Sequence, residues 1–261
     1  MDHVEQYRQQ VLKIILDEVK PSPDILAAWE GGSAATRTQD QFSDIDLCVL
    51  TTSSPMLVLD RIEKSLEKMK VSHTWKPNKS FWGEGMLQRV VVLKDSPKYF
   101  CVDIAVFDHT HTQLLQNFLE VERHGQPVVF FDKSNLIRLG HTDAAALFKR
   151  QQARVNELSD GFPIFKSLAL KEIERGQSID AISFYQNGLV RPFVEVLGMI
   201  HRPFKFDFGM RYIHKSFPRE DQALIEDLSY VSSFKDLPEK ILKVEMAFNT
   251  AVNQVRSRTG L

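Results

Sequence analysis

Apolar positions in the first part of the chain change period several times, and each change marks an element. Val4, Tyr7, Val11, Ile15 and Val19 recur at three- and four-residue spacing, which predicts a helix ending near residue 18 or 19, before Pro21 and Pro23. Residues 25–29 read as a short strand running into two glycines. Residues 33–38 read as the start of a helix, with Ser33 near its cap. Residues 45–50 form an apolar run interrupted chemically by Asp46, the pattern of a buried strand. Met56, Leu59, Ile62, Leu66 and Met69 then mark a second amphipathic helix.

Two further apolar stretches, 86–93 and 99–107, flank Lys94-Asp95-Ser96-Pro97-Lys98, a plausible hairpin turn. Residues 128–131 either add an edge strand or close the domain. From about Asp143 the pattern is helical: Leu189, Val190, Phe193, Val194, Leu197 and Ile200 describe one apolar face, and Ile241, Val244, Phe248, Ala251 and Val255 another. The expected fold is therefore α+β. A mixed-sheet domain over 1–138 precedes a mainly helical domain over 139–261, with the boundary between 132 and 145. Helices placed between strands suit an α/β layer.

Composition narrows the class. A chain of 261 residues that is 43% apolar has enough material for one large or two modest cores. The formal charge of −1 gives no global attraction to nucleic acid, which argues against a polynucleotide substrate while leaving room for a local basic groove. No apolar signal segment opens the chain, and no apolar run approaches the roughly 18 residues of a membrane span. Cys48 and Cys101 lie in strand-like runs without CxxC spacing, so buried free thiols in a reducing compartment, the cytoplasm, are expected. His109 and His111 lack a matching Cys or His pair for zinc. Neither a P-loop lysine motif nor a serine-hydrolase elbow is present.

The chemistry concentrates in three short strings. Gly31-Gly32-Ser33 lets the backbone approach a ligand closely, and Ser33 with the following amides could donate to phosphate oxygens. Asp44 and Asp46, at i and i+2, point to one face of a strand. Asp103, inside Val102-Asp103-Ile104, is a third acid in an apolar run. Like charges placed together repel and resist burial, and a cation is a physical reason to gather them. The bland alternative puts Asp44 in a turn and Asp46 and Asp103 at exposed strand ends.

Trp29-Glu30-Gly31-Gly32-Ser33, Phe42-Ser43-Asp44-Ile45-Asp46-Leu47 and Val102-Asp103-Ile104-Ala105 together resemble the nucleotidyltransferase superfamily that includes DNA polymerase beta and the antibiotic nucleotidyltransferases. The resemblance covers roughly the first 110 residues. It implies that Asp44, Asp46 and Asp103 hold Mg²⁺, that Gly32 and Ser33 cradle the triphosphate of ATP or another nucleoside triphosphate, and that a helical domain closes on the acceptor. Many relatives carry a glycine four positions after the serine; this chain has Arg37 there, which either contacts phosphate or narrows the site.

The same resemblance implies a carboxylate base in the helical half, with Glu195 preferred over Glu172. Arg202, Lys205, Arg211 and Lys215 form a local basic region broken by Asp207; Lys205 is the preferred phosphate contact among them, and the rest read as surface charges. Arg89 is an additional ligand candidate, and Trp75, Phe81 and Trp82 are candidates to line a pocket around Gly83-Glu84-Gly85, although core packing is the commoner use of such aromatics.

The implied activity is Mg²⁺-dependent transfer of a nucleoside monophosphate, AMP from ATP, to a hydroxyl of a small molecule such as an antibiotic, with release of pyrophosphate. The alternatives are transfer to a protein or RNA and a non-catalytic nucleotide sensor. The sequence carries no signal of oligomeric state.

Overall fold

The computed structural model describes residues 3–77 and 83–258. The chain divides into two compact units, 1–142 and 143–261.

The first unit is built on a six-stranded mixed sheet. Its strands are β1 (Ile25–Glu30), β2 (Ile45–Thr51), β3 (Val71–Trp75), β4 (Met86–Leu93), β5 (Val102–Asp108) and β6 (Val128–Asp132), in the spatial order β3-β4-β5-β2-β1-β6. Only β2 and β5 run parallel among these pairs; the others are antiparallel. A parallel pair needs a long crossover, here supplied by α3 (Pro55–Leu66) with β3 and β4.

The central strands are buried on both faces, which explains their unbroken apolar runs. Ile45, Leu47 and Val49 of β2 and Val102, Ile104 and Val106 of β5 join one core with Val11, Leu12 and Ile15 of α1 (His3–Val19) and Val58 and Ile62 of α3. Cys48, Leu50 and Phe107 join a second core on the opposite face with Trp29, Leu115 and Leu119. The edge strands differ. β6 exposes Val128 and Val129, and β3 has no buried position, with Val71 and Thr74 half-buried and the rest exposed. Residues 128–131 thus form an edge strand, paired with β1.

The second unit is helical. α6 (Ala144–Glu174) begins where Asp143 accepts hydrogen bonds from the amides of Ala145 and Ala146 at 2.9 and 3.0 Å, an N-cap of the usual chemistry. α7 (Ser178–Tyr185) continues through a π-helical turn, Gln186–Val190, into α8 (Arg191–His201). Gly188 lies in that turn, and a Cβ there would stand 2.6 Å from the side chain of Phe165 on α6. α10 (Arg219–Ser229) and α11 (Leu237–Arg256) complete the core, in which Phe162 stacks on Phe248 at 4.1 Å between ring centroids. Both apolar faces read from the sequence, 189–200 and 241–255, enter this core. No helix among the described residues is long and apolar enough to cross a membrane.

Candidate active site

The second glycine of the pair is dictated by Asp46. The Gly31 amide donates to the Asp46 carbonyl at 2.9 Å. Gly32 sits at φ +52°, and a Cβ there would lie 1.7 Å from Oδ2 of Asp46. A side chain at this position would meet both a left-handed backbone and the carboxylate. Gly32 opens α2 (Gly32–Ala35), a single turn. The expected helix over 33–38 therefore stops early, because Arg37 takes φ 55° and a helical L-residue does not. Ser33 is the second residue of the turn, and the N-cap is Gly31. Arg37 is exposed, and it occupies a glycine-favouring conformation.

Asp46 and Asp103 are direct register partners across the parallel pair β2 and β5, on strands about 4.8 Å apart. Alternation puts Asp46 on the face of Cys48 and away from Ile45 and Leu47. Electrostatics agree: burial, then the charges of Asp46 and Asp103, push the Cys48 thiol well above its ordinary range. Gln88 of β4 adds a contact that the sequence reading missed. Its Nε2 donates to both Asp103 oxygens, at 2.7 and 2.8 Å.

Asp44 immediately precedes β2. Its Oδ1 accepts the Cys101 amide at 2.8 Å and its carbonyl accepts Arg8 Nη1 at 2.7 Å. Burial, a hydrogen bond to Asp44 and the charges of all three acids push the Cys101 thiol up to about 12. Both cysteines are free thiols.

Arg8 and Glu30, each 4% exposed, form a buried ion pair next to these acids. Neither was singled out as a functional candidate. The signal was present nonetheless, since Arg8 falls on the apolar stripe of α1, four residues after Val4 and three before Val11.

Other candidates land elsewhere. Arg89, 2% exposed, points to the opposite side of β4 from Gln88. There it meets Asp60 at 2.9 Å and Glu63 at 2.7 Å of α3. Its role as a ligand contact is thereby corrected to a strand-to-helix tie. Trp75 is exposed at the end of β3, so it is not core; Phe81 and Trp82 lie outside the described residues. The His111 ring packs over Gly85, where a Cβ would come within 2.1 Å of it, and His109 lies 3.4 Å from Asp108.

In the helical unit, both Glu195 oxygens accept from Arg154 of α6, at 2.7 and 3.0 Å. Glu172 is buried and pairs with Arg175 at 3.0 Å. Lys205 lies over the Phe208 ring, 6.0 Å from its centroid. Arg202 is buried over Phe217, with its guanidinium donating to the carbonyls of Gly209 and Arg211. It holds the 203–212 loop together and is not a surface cation.

A hard cation suits the donor set of Asp44, Asp46 and Asp103, which is entirely carboxylate oxygen. As placed, the acids do not form the expected three-fold cup: among the described residues no three His, Cys, Asp or Glu side chains converge on a metal position. The register joins Asp46 to Asp103, while Asp44 turns one oxygen to the Cys101 amide.

No protein-family model and no curated protein matches this sequence. Several solved structures are similar at low identity. An aminoglycoside 6-adenyltransferase from Bacillus subtilis is 11% identical, with 95% of this chain and 89% of that one covered and a TM-score of 0.36. A nucleotidyltransferase-like protein from Exiguobacterium sibiricum is 13% identical over 97% and 81%, with a TM-score of 0.38. A spectinomycin adenyltransferase from Enterococcus faecialis, solved with ATP and spectinomycin, is 10% identical over 97% and 99%, with a TM-score of 0.35. These likenesses are distant, and the case for the site rests on its own residues.

Proposed function

We propose that this chain is a nucleotidyltransferase, moving a nucleoside monophosphate from a nucleoside triphosphate to a hydroxyl of a small molecule. The observation that carries the reading is the registered pair Asp46 and Asp103 beside a glycine turn whose Gly32 leaves no room for a Cβ against Asp46. Two carboxylates facing each other in a half-buried site, next to backbone stripped of side chains, suit a cation-bound polyphosphate better than they suit stability.

In this reading Asp46 and Asp103, with Asp44 beside them at the start of β2, would hold Mg²⁺. Bound there, the ion would supply Lewis acidity, lowering the pKa of the acceptor hydroxyl and offsetting charge on the triphosphate. Gly31, Gly32 and Ser33 bring main-chain close to the phosphates, with Arg37 at the rim. The acceptor oxygen attacks the α-phosphorus, the bond from that phosphorus to the β-phosphate oxygen breaks, and pyrophosphate leaves while the hydroxyl proton passes to a base.

Glu195 is the proposed acceptor-side carboxylate, and it either leaves Arg154 or receives the hydroxyl on its remaining lone pairs. Lys205 is the proposed phosphate contact from the helical unit. ATP as donor, an antibiotic-like acceptor and a cytoplasmic setting are the finer parts of the proposal, supported by the motif resemblance and by two free thiols.

Purified protein with Mg²⁺, each of the four ribonucleoside triphosphates and a pool of polyhydroxyl compounds tests this. Pyrophosphate release with a one-nucleotide mass gain on an acceptor, lost in Asp46→Asn, is the expected result. Wild-type-like turnover in Asp46→Asn or in Asp103→Asn would remove the assigned role of that residue.

A further inference from the structure

We propose that Arg8 is a positioning residue for the metal-binding acids, clamping the glycine turn and the Asp44–Asp46 segment together from beneath. The inference rests on the nucleotidyltransferase reading of the site. Arg8 comes from α1, outside all three motif strings, and reaches both arms of the motif. One arm is Glu30, the last residue of β1 and the one before Gly31, which forms the ion pair with Arg8. The other is the Asp44 carbonyl, which accepts Nη1 of Arg8 at 2.7 Å. Between those contacts the Gly31 amide donates to the Asp46 carbonyl at 2.9 Å, so one guanidinium closes a ring of contacts around the turn.

The placement is costly in isolation. Arg8 is 4% exposed, and burial pulls its pKa down while the charges of Glu5, Asp46 and Asp44 pull it back up. A buried ion pair is often no more stabilising than apolar groups of the same volume. Stability alone therefore gives little reason to bury this one. Its geometry gives another, because a planar fork can serve two acceptors at fixed angles where an ammonium acts as a point charge. Arg8 also sets a positive charge near Asp44 and Asp46, which lowers the repulsion between acids that must stay close before a cation arrives.

The test separates positioning from folding and from charge. The double variant Arg8→Met/Glu30→Met removes one positive and one negative charge, leaving the net charge unchanged and the volume filled, but it loses the donor to the Asp44 carbonyl. Mn²⁺ binding by electron paramagnetic resonance, with the wild-type chain and Asp46→Asn in parallel, gives a readout independent of turnover. The expected result is a melting temperature within about 3 °C of wild type and a Mn²⁺ dissociation constant raised at least tenfold.

Should the double variant not fold, Arg8→Lys carries the test. It keeps the pair with Glu30 but has a single nitrogen in place of the fork that reaches Glu30 and the Asp44 carbonyl separately, and a severalfold loss of Mn²⁺ affinity is expected. Wild-type Mn²⁺ affinity in the folded double variant, or in Arg8→Lys where that carries the test, would reduce the clamp to an ordinary buried pair. A wild-type chain that binds no Mn²⁺, or binds it equally well as Asp46→Asn, would instead overturn the reading of the site itself.

Discussion

Gly32 and Asp46 share one space: a Cβ on Gly32 would lie 1.7 Å from Oδ2 of the Asp46 carboxylate. Two residues fourteen positions apart in sequence thereby become one object, and the glycine is a condition for the carboxylate rather than an ordinary turn residue.

Gly32→Ala is the direct consequence. The variant takes a left-handed backbone worth about 1–2 kcal/mol for an L-residue and forces Asp46 off its position. Transfer is expected to fall at least a hundredfold, with a melting temperature lower by several degrees. Equal activity in Gly32→Ala, measured as pyrophosphate release, would mean that Asp46 does not need its present place.

Arg37 makes the opposite case. It holds φ 55° with no glycine to ease it. Arg37→Gly relieves that strain and makes the unfolded chain more flexible. The balance is a net stabilisation of about 0.5 kcal/mol. If Arg37 also touches the triphosphate, the same variant raises KM for nucleotide severalfold while kcat holds. Urea unfolding and nucleotide titration read the two effects separately, and an unchanged KM would assign Arg37 to the backbone alone.

What the sequence made legible follows from period and spacing. The apolar stripe of α1, the central strands and the two faces of the helical unit all announce themselves, because burial on a regular element repeats. β3 did not, since an edge strand of Val71-Ser72-His73-Thr74-Trp75 buries little and carries no apolar run. The acids were legible as an i, i+2 pair and a lone charge among apolar neighbours. Their supports were not: Gln88 and Arg89 are adjacent on one strand, and alternation sends the first to Asp103 and the second to α3. Arg89 drew notice by its charge, yet the site uses its neutral neighbour. Long-range partners such as Cys101 and Asp44, 57 residues apart, emerge only once the strands are registered.

Cys101 supplies a pH-dependent check. With its thiol pushed up to about 12 by burial and by Asp44, almost no thiolate exists at pH 8, and reaction with a disulfide reagent in the native state is expected to be slow. Asp44→Asn removes a negative charge, lowers that pKa and speeds the reaction, tenfold for each unit of fall at fixed nucleophilicity. The folded thiol binds its proton more tightly than an unfolded one, at the ordinary value of 9.0. Its contribution to stability is therefore complete below pH 9 and lost as pH rises toward about 12. Urea unfolding at pH 8 and 10.5 should show a fall in stability that is smaller in Cys101→Ala. An equal fall in both proteins would place Cys101 outside this linkage.

Gln88 tests why a neutral amide stands where a cation would bind Asp103 more strongly. Its Nε2 lies 2.7 and 2.8 Å from the two Asp103 oxygens, which orients the carboxylate while leaving its charge for an incoming cation. Groups that orient a ligand in this way are typically worth about 10- to 100-fold in affinity or activity. Gln88→Met loses the donor and keeps the volume, so a loss in that range is expected for both Mn²⁺ binding and transfer. Gln88→Lys keeps a donor but adds a positive charge that competes with the metal ion for the same oxygens. Mn²⁺ affinity should therefore fall in the order wild type, Gln88→Met, Gln88→Lys, with the lysine variant weakest although it restores a hydrogen bond. A lysine variant that binds Mn²⁺ as well as wild type would show that the charge of Asp103 is not what the cation uses.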